Sequence, residues 1–238
     1  MKVLVTGAAG FIGSNLTQYL LDKNYEVIGI DDFNDFYSPK IKEFNISSFK
    51  DNPKFKLYKI DISNREEVRQ VFNENQDIDA VMHLAAWAGV TYSVENPHVY
   101  VKDNVLGTNN LTDFCVEHGI KNFIFASTSS VYGDNPTPFT EDMDTSHPNA
   151  PYPGTKKASE VLLYTIAKNQ DLRVTIFRFF NPLGPNLRPD MALPKLIKSA
   201  EYGNIFELWQ DPKDSARDYT YIDDMCKAIE YVIKNPMD

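Results

Sequence analysis

The chain has 238 residues, of which 42% are hydrophobic and 24% are charged, and its formal net charge is −9. This length suits one α/β domain with a small appended lobe and is enough to bury a sizeable core. An acidic chain is a poor partner for nucleic acid or for an anionic membrane, so we expect it to bind neither. The first strand-like run begins at residue 2, and no apolar stretch approaches the ~20 residues of a membrane span, so we expect no secretion signal and no membrane segment.

Cysteine and histidine usage gives no sign of a metal site. The two cysteines, Cys115 and Cys226, fall in helix-like segments without metal-ligand spacing, and the four histidines form no ligand cluster. We therefore expect reduced, structural cysteines, no bound metal and a cytoplasmic protein.

The first predicted elements are a strand over residues 2–6, a glycine-rich turn and a helix. Gly7 permits a sharp turn, Gly10 lets the backbone approach a pyrophosphate, and Gly13 allows the helix to pack closely on the strand. The spacing is G-x-x-G-x-x-G, with Phe11 and Ile12 inside it. This pattern is typical of a dinucleotide-binding turn; the alternative is a surface turn that is glycine-rich by chance.

The second apolar run, over residues 26–30, ends in Asp31 and Asp32. A carboxylate at the end of the second strand can accept hydrogen bonds from the adenosine ribose, whereas a 2′-phosphate would meet a negative charge there. Asp31 therefore favours NAD over its phosphorylated form, and its position in register with the strand and helix argues against the chance turn.

Strand-like runs and helical segments alternate along the rest of the first three quarters of the chain. This alternation predicts a doubly wound parallel sheet of the Rossmann type. Ser63 and Glu66 predict a capping box at a helix start, and further helices are predicted over 104–116 and from about Tyr152. The latter is apolar on a broad face, as expected if it packs against a partner subunit as well as the sheet. The predicted strands cover residues 2–6, 26–30, 55–59, 80–84, 122–126 and 173–178.

Beyond residue 178 prolines and glycines interrupt this alternation. We predict an NAD-binding domain over 1–178 and a partial, shortened substrate-binding lobe over 179–238. Within the lobe we expect a helix over 193–201, a strand over 205–209 and a helix over 222–234.

Tyr152 and Lys156 are four residues apart, so both side chains lie on one face of the first helical turn. A nearby ammonium, together with the positive nicotinamide ring, lowers the pKa of a phenol from its usual ~10, which lets a tyrosine act as a base. Taken alone, such a pair is more often an exposed tyrosine and lysine on a helix surface.

A cluster of hydroxyl groups at residues 127–130 follows the fifth predicted strand, at the edge of the sheet where ligands bind. A hydroxyl here can relay a proton between a substrate oxygen and Tyr152. The alternative is a turn in which the hydroxyls bond only their own backbone.

Together, the glycine turn, the hydroxyl cluster and the Tyr-Lys pair resemble the extended short-chain dehydrogenase/reductase family. Within it, the chain is similar to the nucleotide-sugar 4-epimerases, and most similar to UDP-glucuronate 4-epimerases. Further matching motifs lie at residues 83–86, 88–93, 95–97, 104, 107–108 and 217–224.

The resemblance implies a function for three groups of residues and a homodimeric assembly. The implied catalytic residues are Thr128, Tyr152 and Lys156. The implied NAD contacts are Gly7, Gly10, Phe11, Ile12, Gly13, Asp31, Asp61, Ile62, Leu84, Ala85, Ala86 and Lys156. The implied substrate contacts are Thr91, Ser129, Ser130, Asn181 near the diphosphate, Arg217 on the phosphates and Arg188 on a substrate carboxylate.

Ser129 and Ser130 select among the reactions of this family. Dehydratases usually carry Asp-Glu after the catalytic threonine and decarboxylases a glutamate two residues after it. With serines there, we expect a 4-epimerisation in which Tyr152 takes the 4-hydroxyl proton, NAD takes the hydride, and the transient 4-keto sugar rotates before the hydride returns.

UDP-glucuronate is the expected substrate, and two kinds of alternative stay open. Trp87 and Thr91 replace a smaller polar and a basic residue in the expected sugar pocket, so epimerisation of UDP-glucose or UDP-galactose, and decarboxylation of UDP-glucuronate, remain alternatives. Family members also continue beyond the position of Asp238. An alternative of another class is therefore a non-catalytic, NAD-binding dimeric scaffold.

Overall fold

The computed structural model describes residues 1–206 and 216–237 and contains a six-stranded sheet in the order β3-β2-β1-β4-β5-β6. Every pairing in this sheet is parallel. Its strands are β1 (Lys2–Thr6), β2 (Glu26–Ile30), β3 (Phe55–Tyr58), β4 (Ala80–His83), β5 (Asn122–Thr128) and β6 (Arg173–Phe179). The predicted doubly wound α/β fold is confirmed.

Helices cover both faces of the sheet. They are α1 (Phe11–Asp22), α2 (Pro39–Ile46), α3 (Arg65–Glu74), α4 (Val90–Glu95), α5 (Pro97–Tyr100), α6 (Gly107–Glu117), α7 (Pro151–Asn169), α8 (Ala192–Tyr202) and α9 (Ile222–Lys234). A π-helical turn, Val101–Leu106, precedes α6, and a 3₁₀ turn, Ser129–Tyr132, follows β5. A small parallel sheet pairs β7 (Asn181–Leu183) with β8 (Tyr219–Tyr221).

The core has two parts, one on each face of the sheet. On one face α1 and α9 pack against the inner strands through residues such as Val5, Leu16 and Ile229. On the other face α3, α6 and α7 contribute side chains such as Phe72 and Leu163. Full burial of each such side chain contributes about 1.5–3 kcal/mol. The last helix, α9, shares its core with β1 and so packs against the sheet. The division at residues 178/179 stays a prediction.

Two local predictions differ from the structure. The α3 cap is Asn64 rather than Ser63, because the Ser63 hydroxyl donates to Asp61 Oδ1 at 2.7 Å instead of capping the helix. In the predicted strand over 205–209, residues 205 and 206 are not extended in a sheet, and 207–209 lie outside the described residues.

Cys115 and Cys226 are both free and buried. Within residues 1–206 and 216–237, no three His, Cys, Asp or Glu side chains converge as a metal site would require, and no helix is long and apolar enough to cross a membrane.

Candidate active site

A cavity of about 370 Å³ lies beyond the carboxyl ends of the strands. It extends along β1 and β4, the neighbours at which the strand order reverses, which is where doubly wound sheets bind ligands. Asp31, at the end of β2, and Tyr152, at the start of α7, both line it. Every residue implied as an NAD contact lines this cavity. These residues are Gly7, Gly10, Phe11, Ile12, Gly13, Asp31, Asp61, Ile62, Leu84, Ala85, Ala86 and Lys156.

The glycine turn fits a pyrophosphate because it has no room for side chains. Gly7 has a positive φ of 67°, which glycine adopts at little cost. A Cβ at Gly13 would lie 2.0 Å from the Gly7 carbonyl oxygen. Helix α1 starts at Phe11 and has no side-chain cap, so its first backbone N–H groups are available to an anion. The residues present therefore fit a dinucleotide.

Asp31 is buried and accepts three hydrogen bonds. The donors are the backbone N–H groups of Ala9 at 3.1 Å and Phe33 at 2.9 Å, and Lys42 Nζ at 2.8 Å. Lys42 was not foreseen from the sequence, since it follows Asp31 by eleven residues and only the α2 fold brings them together. The Lys42 ammonium partly offsets the negative charge of Asp31. Asp31 therefore repels a 2′-phosphate less strongly than the sequence alone predicts.

Asp61 and the end of β4 form the neighbouring wall. Lys102 Nζ donates to Asp61 Oδ2 at 2.7 Å. Burial raises the pKa of Asp61, but the hydrogen bonds from Lys102 and Ser63 outweigh burial, so its pKa is lowered and the group is anionic. The backbone N–H of Ala85 donates to Thr6 Oγ1 at 3.0 Å, which fixes the chain as it leaves β4.

The three residues implied as catalytic converge on the cavity from β5 and α7. Thr128 is the last residue of β5, and its Oγ1 accepts the Ser130 N–H at 3.2 Å. Burial raises the pKa of Tyr152, while a hydrogen bond with Thr128 and the charge of Arg188 lower it in part. Burial also lowers the pKa of Lys156 to about 7, opposed by the charge of Glu160.

The Lys156 ammonium donates to the Ala126 carbonyl oxygen at 2.8 Å and lies 4.6 Å from the centre of the Phe125 ring. The cation that acts on the Tyr152 pKa in this structure is Arg188. The sequence predicts this effect from the Lys156 ammonium together with the positive nicotinamide ring, whereas Arg188 lies 36 residues beyond Tyr152 in the chain.

Of the residues implied as substrate contacts, Arg188 lines the cavity. Ser129 and Ser130 are half-buried in the 3₁₀ turn beside Thr128. Asn181 Nδ2 donates to the Asp218 carbonyl at 3.0 Å and so joins β7 to the chain just before β8. Arg217 and Thr91 are exposed. Among the described residues, those that line the cavity do not include Ser129, Ser130, Asn181, Arg217 or Thr91.

Two aromatic residues form part of the cavity wall: Trp87, which the sequence places in the expected sugar pocket, and Phe36, which it does not single out. Trp87 stacks on Tyr92 with ring centres 5.6 Å apart and meets the Phe36 ring edge-on at 5.4 Å. Its indole N–H donates to the buried carboxylate of Asp103. The partners of Trp87 lie in the loop before α2, in α4 and in the π-helical turn, so they leave no local pattern in the sequence.

Comparisons with known proteins identify the family of this chain. A model of the NAD dependent epimerase/dehydratase family matches residues 3–238. A UDP-glucuronate 4-epimerase of Thermodesulfobacterium geofontis is 41% identical over 94% of this chain and 69% of its own length. Protein CapI of Staphylococcus aureus is 40% identical over 99% of this chain and 70% of its own length.

A solved structure is similarly close. The UDP-glucuronic acid 4-epimerase from Bacillus cereus, in complex with UDP-glucuronic acid and NAD, superposes with a TM-score of 0.91 at 39% identity, covering 99% of this chain and 74% of that one. Since the family match spans nearly the whole chain and the sheet order and glycine turn agree with it, the chain belongs to the NAD-dependent epimerase/dehydratase family of enzymes.

Proposed function

We propose that this enzyme is a UDP-sugar 4-epimerase that uses NAD and acts on UDP-glucuronate. The observation that carries the proposal is the convergence of Thr128, Tyr152 and Lys156 on the cavity that contains the glycine turn. The similar proteins named UDP-glucuronate 4-epimerase, one of them in complex with UDP-glucuronic acid and NAD, support the same activity.

In this mechanism bound NAD supplies the hydride acceptor and donor for the sugar C4. The glycine turn and the free N–H groups of α1 bind the pyrophosphate, and Asp31 binds the adenosine ribose. Tyr152 removes the proton from the sugar 4-hydroxyl and later returns it to the 4-keto sugar. Thr128 holds the same oxygen and relays the proton, and Lys156 holds the nicotinamide ribose.

Tyr152 can serve as the base only if a cation favours its phenolate. Burial raises its pKa, which by itself disfavours proton removal at neutral pH. Arg188, which also lines the cavity, opposes this effect and is the cation that acts on the Tyr152 pKa in this structure. Its positive charge favours the phenolate that general-base catalysis requires.

Arg188 supports UDP-glucuronate as the substrate, because a guanidinium in the cavity binds a carboxylate through two parallel hydrogen bonds. Serines follow Thr128, so the site has no carboxylate there to drive dehydration or decarboxylation. A second candidate is epimerisation of UDP-glucose and UDP-galactose. It is favoured by Asp190, which already binds Arg188 at two points.

The proposal is tested by incubating the protein with NAD and each of UDP-glucuronate, UDP-glucose and UDP-galactose, and following the epimers by NMR. We expect UDP-galacturonate from UDP-glucuronate, and a loss of about 10²–10⁴-fold in kcat for Tyr152→Phe with no loss of folding. Formation of UDP-xylose would show decarboxylation instead. NAD binding without turnover of any sugar would overturn the proposal in favour of a non-catalytic scaffold.

We also propose that the enzyme is a homodimer that packs through α7 and the π-helical turn beside it. Large apolar side chains are exposed on this surface: Tyr164 is 65% exposed, Val161 52%, Val101 55% and Leu106 48%. Large apolar side chains exposed on two neighbouring elements favour a protein interface, and a second copy would cover them symmetrically.

A further inference from the structure

A buried ionic cluster lies behind the three residues proposed as catalytic. Glu160, on α7, is only 4% exposed. Its Oε1 accepts the Ser127 hydroxyl at 2.5 Å and Arg178 Nε at 3.1 Å, and its Oε2 accepts Arg178 Nη2 at 2.9 Å. The carboxylate therefore joins α7 to β5 and β6 at the level of the cavity.

Arg178 extends the cluster to the chain that follows Thr128. Its Nη1 donates to the Tyr132 hydroxyl at 3.2 Å and to the Glu141 carbonyl at 3.1 Å. The guanidinium also lies 5.1 Å from the centre of the Tyr132 ring. One side chain thus fixes the 3₁₀ turn after β5 and the loop that leads to α7.

The cluster adjoins two of the proposed catalytic residues, Thr128 and Lys156. Glu160 and Arg178 themselves do not line the cavity. Ser127 directly precedes Thr128, so the hydrogen bond from Ser127 to Glu160 fixes the end of β5. Lys156 lies one helical turn before Glu160 on α7. The Glu160 charge is the one that opposes the effect of burial on the pKa of Lys156.

The stability of the fold does not by itself explain this cluster. Removing two charges from water costs several kcal/mol for each ion, and well-packed apolar residues of similar volume are often as stabilising as a buried ion pair. What the pair supplies is a fixed geometry, since a two-point Arg-carboxylate bond sets both distance and orientation.

We propose that Glu160 and Arg178 are positioning residues, which hold the Thr128 hydroxyl and the Lys156 ammonium in place for proton transfer at Tyr152. This inference rests on the proposed function. A displacement of a catalytic group by about 1 Å can cost on the order of 100-fold in rate, so the loss of this support should lower kcat more than it raises KM.

The groups around the Lys156 ammonium make its titration a direct probe of the cluster. From β5 it meets the Ala126 carbonyl and the Phe125 ring, and from β4 it faces His83, whose pKa burial and the Lys156 charge hold well below the usual value. On α7 its charged or titratable neighbours are Tyr152 and Glu160. Of the titratable groups among these, Glu160 is the one whose charge favours the charged ammonium.

The test uses Glu160→Gln with Glu230→Gln as a matched control. Glu230 is also a buried helical carboxylate, 8% exposed; it accepts the Tyr19 hydroxyl at 2.7 Å and lies on α9, outside the cavity lining. Both variants should melt at lower temperature than the wild type. Glu160→Gln alone should lower kcat by about tenfold with KM changed less than about twofold.

The Lys156 titration, followed by NMR of its ¹³Cε, provides a readout that mere loss of stability does not move. We expect its pKa to fall in Glu160→Gln and to stay at the wild-type value in Glu230→Gln. If Glu160→Gln does not fold, Ser127→Ala replaces it as the test variant. It removes one hydrogen-bond donor to the Glu160 carboxylate and should also lower kcat.

Equal kcat in Glu160→Gln and Glu230→Gln, or an unchanged Lys156 titration, would overturn the positioning assignment. Absence of turnover in the wild type would instead refute the proposed function. The Lys156 titration needs no turnover, so it still decides whether the cluster acts on that ammonium.

Discussion

Arg188 and Asp190 form a two-point ion pair at the edge of the candidate active site. Arg188 Nε lies 3.0 Å from Asp190 Oδ1, and Arg188 Nη2 lies 2.8 Å from Oδ2. Asp190 occupies the Nε/Nη2 edge of the guanidinium and offsets its charge, so a substrate carboxylate would have to displace Asp190 or share Arg188 with it. Asp190 therefore competes with UDP-glucuronate for Arg188 and does not compete with a neutral sugar.

Asp190→Asn should shift the enzyme toward UDP-glucuronate. Removing the competing charge frees Arg188, so we expect KM for UDP-glucuronate to fall about fivefold, the equivalent of ~1 kcal/mol. KM for UDP-glucose should not fall. Steady-state kinetics with both substrates measure the ratio, and Asp224→Asn, which removes a surface carboxylate paired with Lys227 at 2.9 Å, is the control. An unchanged ratio would mean that Arg188 does not bind the sugar carboxylate.

The fold could be predicted from the sequence because its signals are local. The apolar runs specify β1 to β6, and the glycine spacing specifies the turn before α1, where a Cβ at Gly13 would overlap the Gly7 carbonyl. These properties depend on residues close together in the chain, and the structure reproduces them within one or two residues at most ends.

The electrostatics of the site could not be predicted in the same way. Lys42 reaches Asp31, and Arg178 reaches Glu160, only after separate elements have packed together. Asn181 likewise donates to the Asp218 carbonyl, which lies far along the chain and just before β8; its expected place near the substrate diphosphate stays a prediction. Partners that come from different elements leave no spacing pattern in the sequence.

Gly13→Ala should abolish nucleotide binding, because the added Cβ would lie 2.0 Å from the Gly7 carbonyl oxygen and force the turn apart. We expect a loss of stability of about 1–3 kcal/mol from overpacking and no shift of the melting temperature on addition of NAD. Gly154→Ala is the control for stability, since its Cβ would meet only Pro148 Cγ at 3.9 Å. If the Gly13 variant still melts at a higher temperature with NAD, the turn is not the pyrophosphate site.

Tyr164→Glu should dissociate the proposed homodimer, because it places a charge in the middle of the apolar surface on α7. Tyr202→Glu is a closely matched control, since Tyr202 on α8 is also 65% exposed. Light scattering after size-exclusion chromatography should give the mass of a monomer for the first variant and that of a dimer for the second. The reverse result would place the interface on α8.

Lys156→Met should stabilise the protein without added nucleotide while it abolishes activity. Burial lowers the pKa of Lys156 from 10.5 in the unfolded chain to about 7. Between these values unfolding takes up a proton, so the free energy of unfolding of the wild type rises with pH across this window. Below about pH 7 the buried charge destabilises the wild type most.

The variant lacks this group, so its advantage in the free energy of unfolding should be roughly 2–4 kcal/mol below pH 7 and should shrink steadily from pH 7 to 10.5. Urea unfolding at pH 6, 8 and 10 measures it, with Lys168→Met, an exposed lysine on the same helix, as the control. A variant that is less stable than the wild type at pH 6 would show that the bond from Lys156 to the Ala126 carbonyl outweighs the cost of burying the ammonium. The residue would then be retained for folding as well as for catalysis.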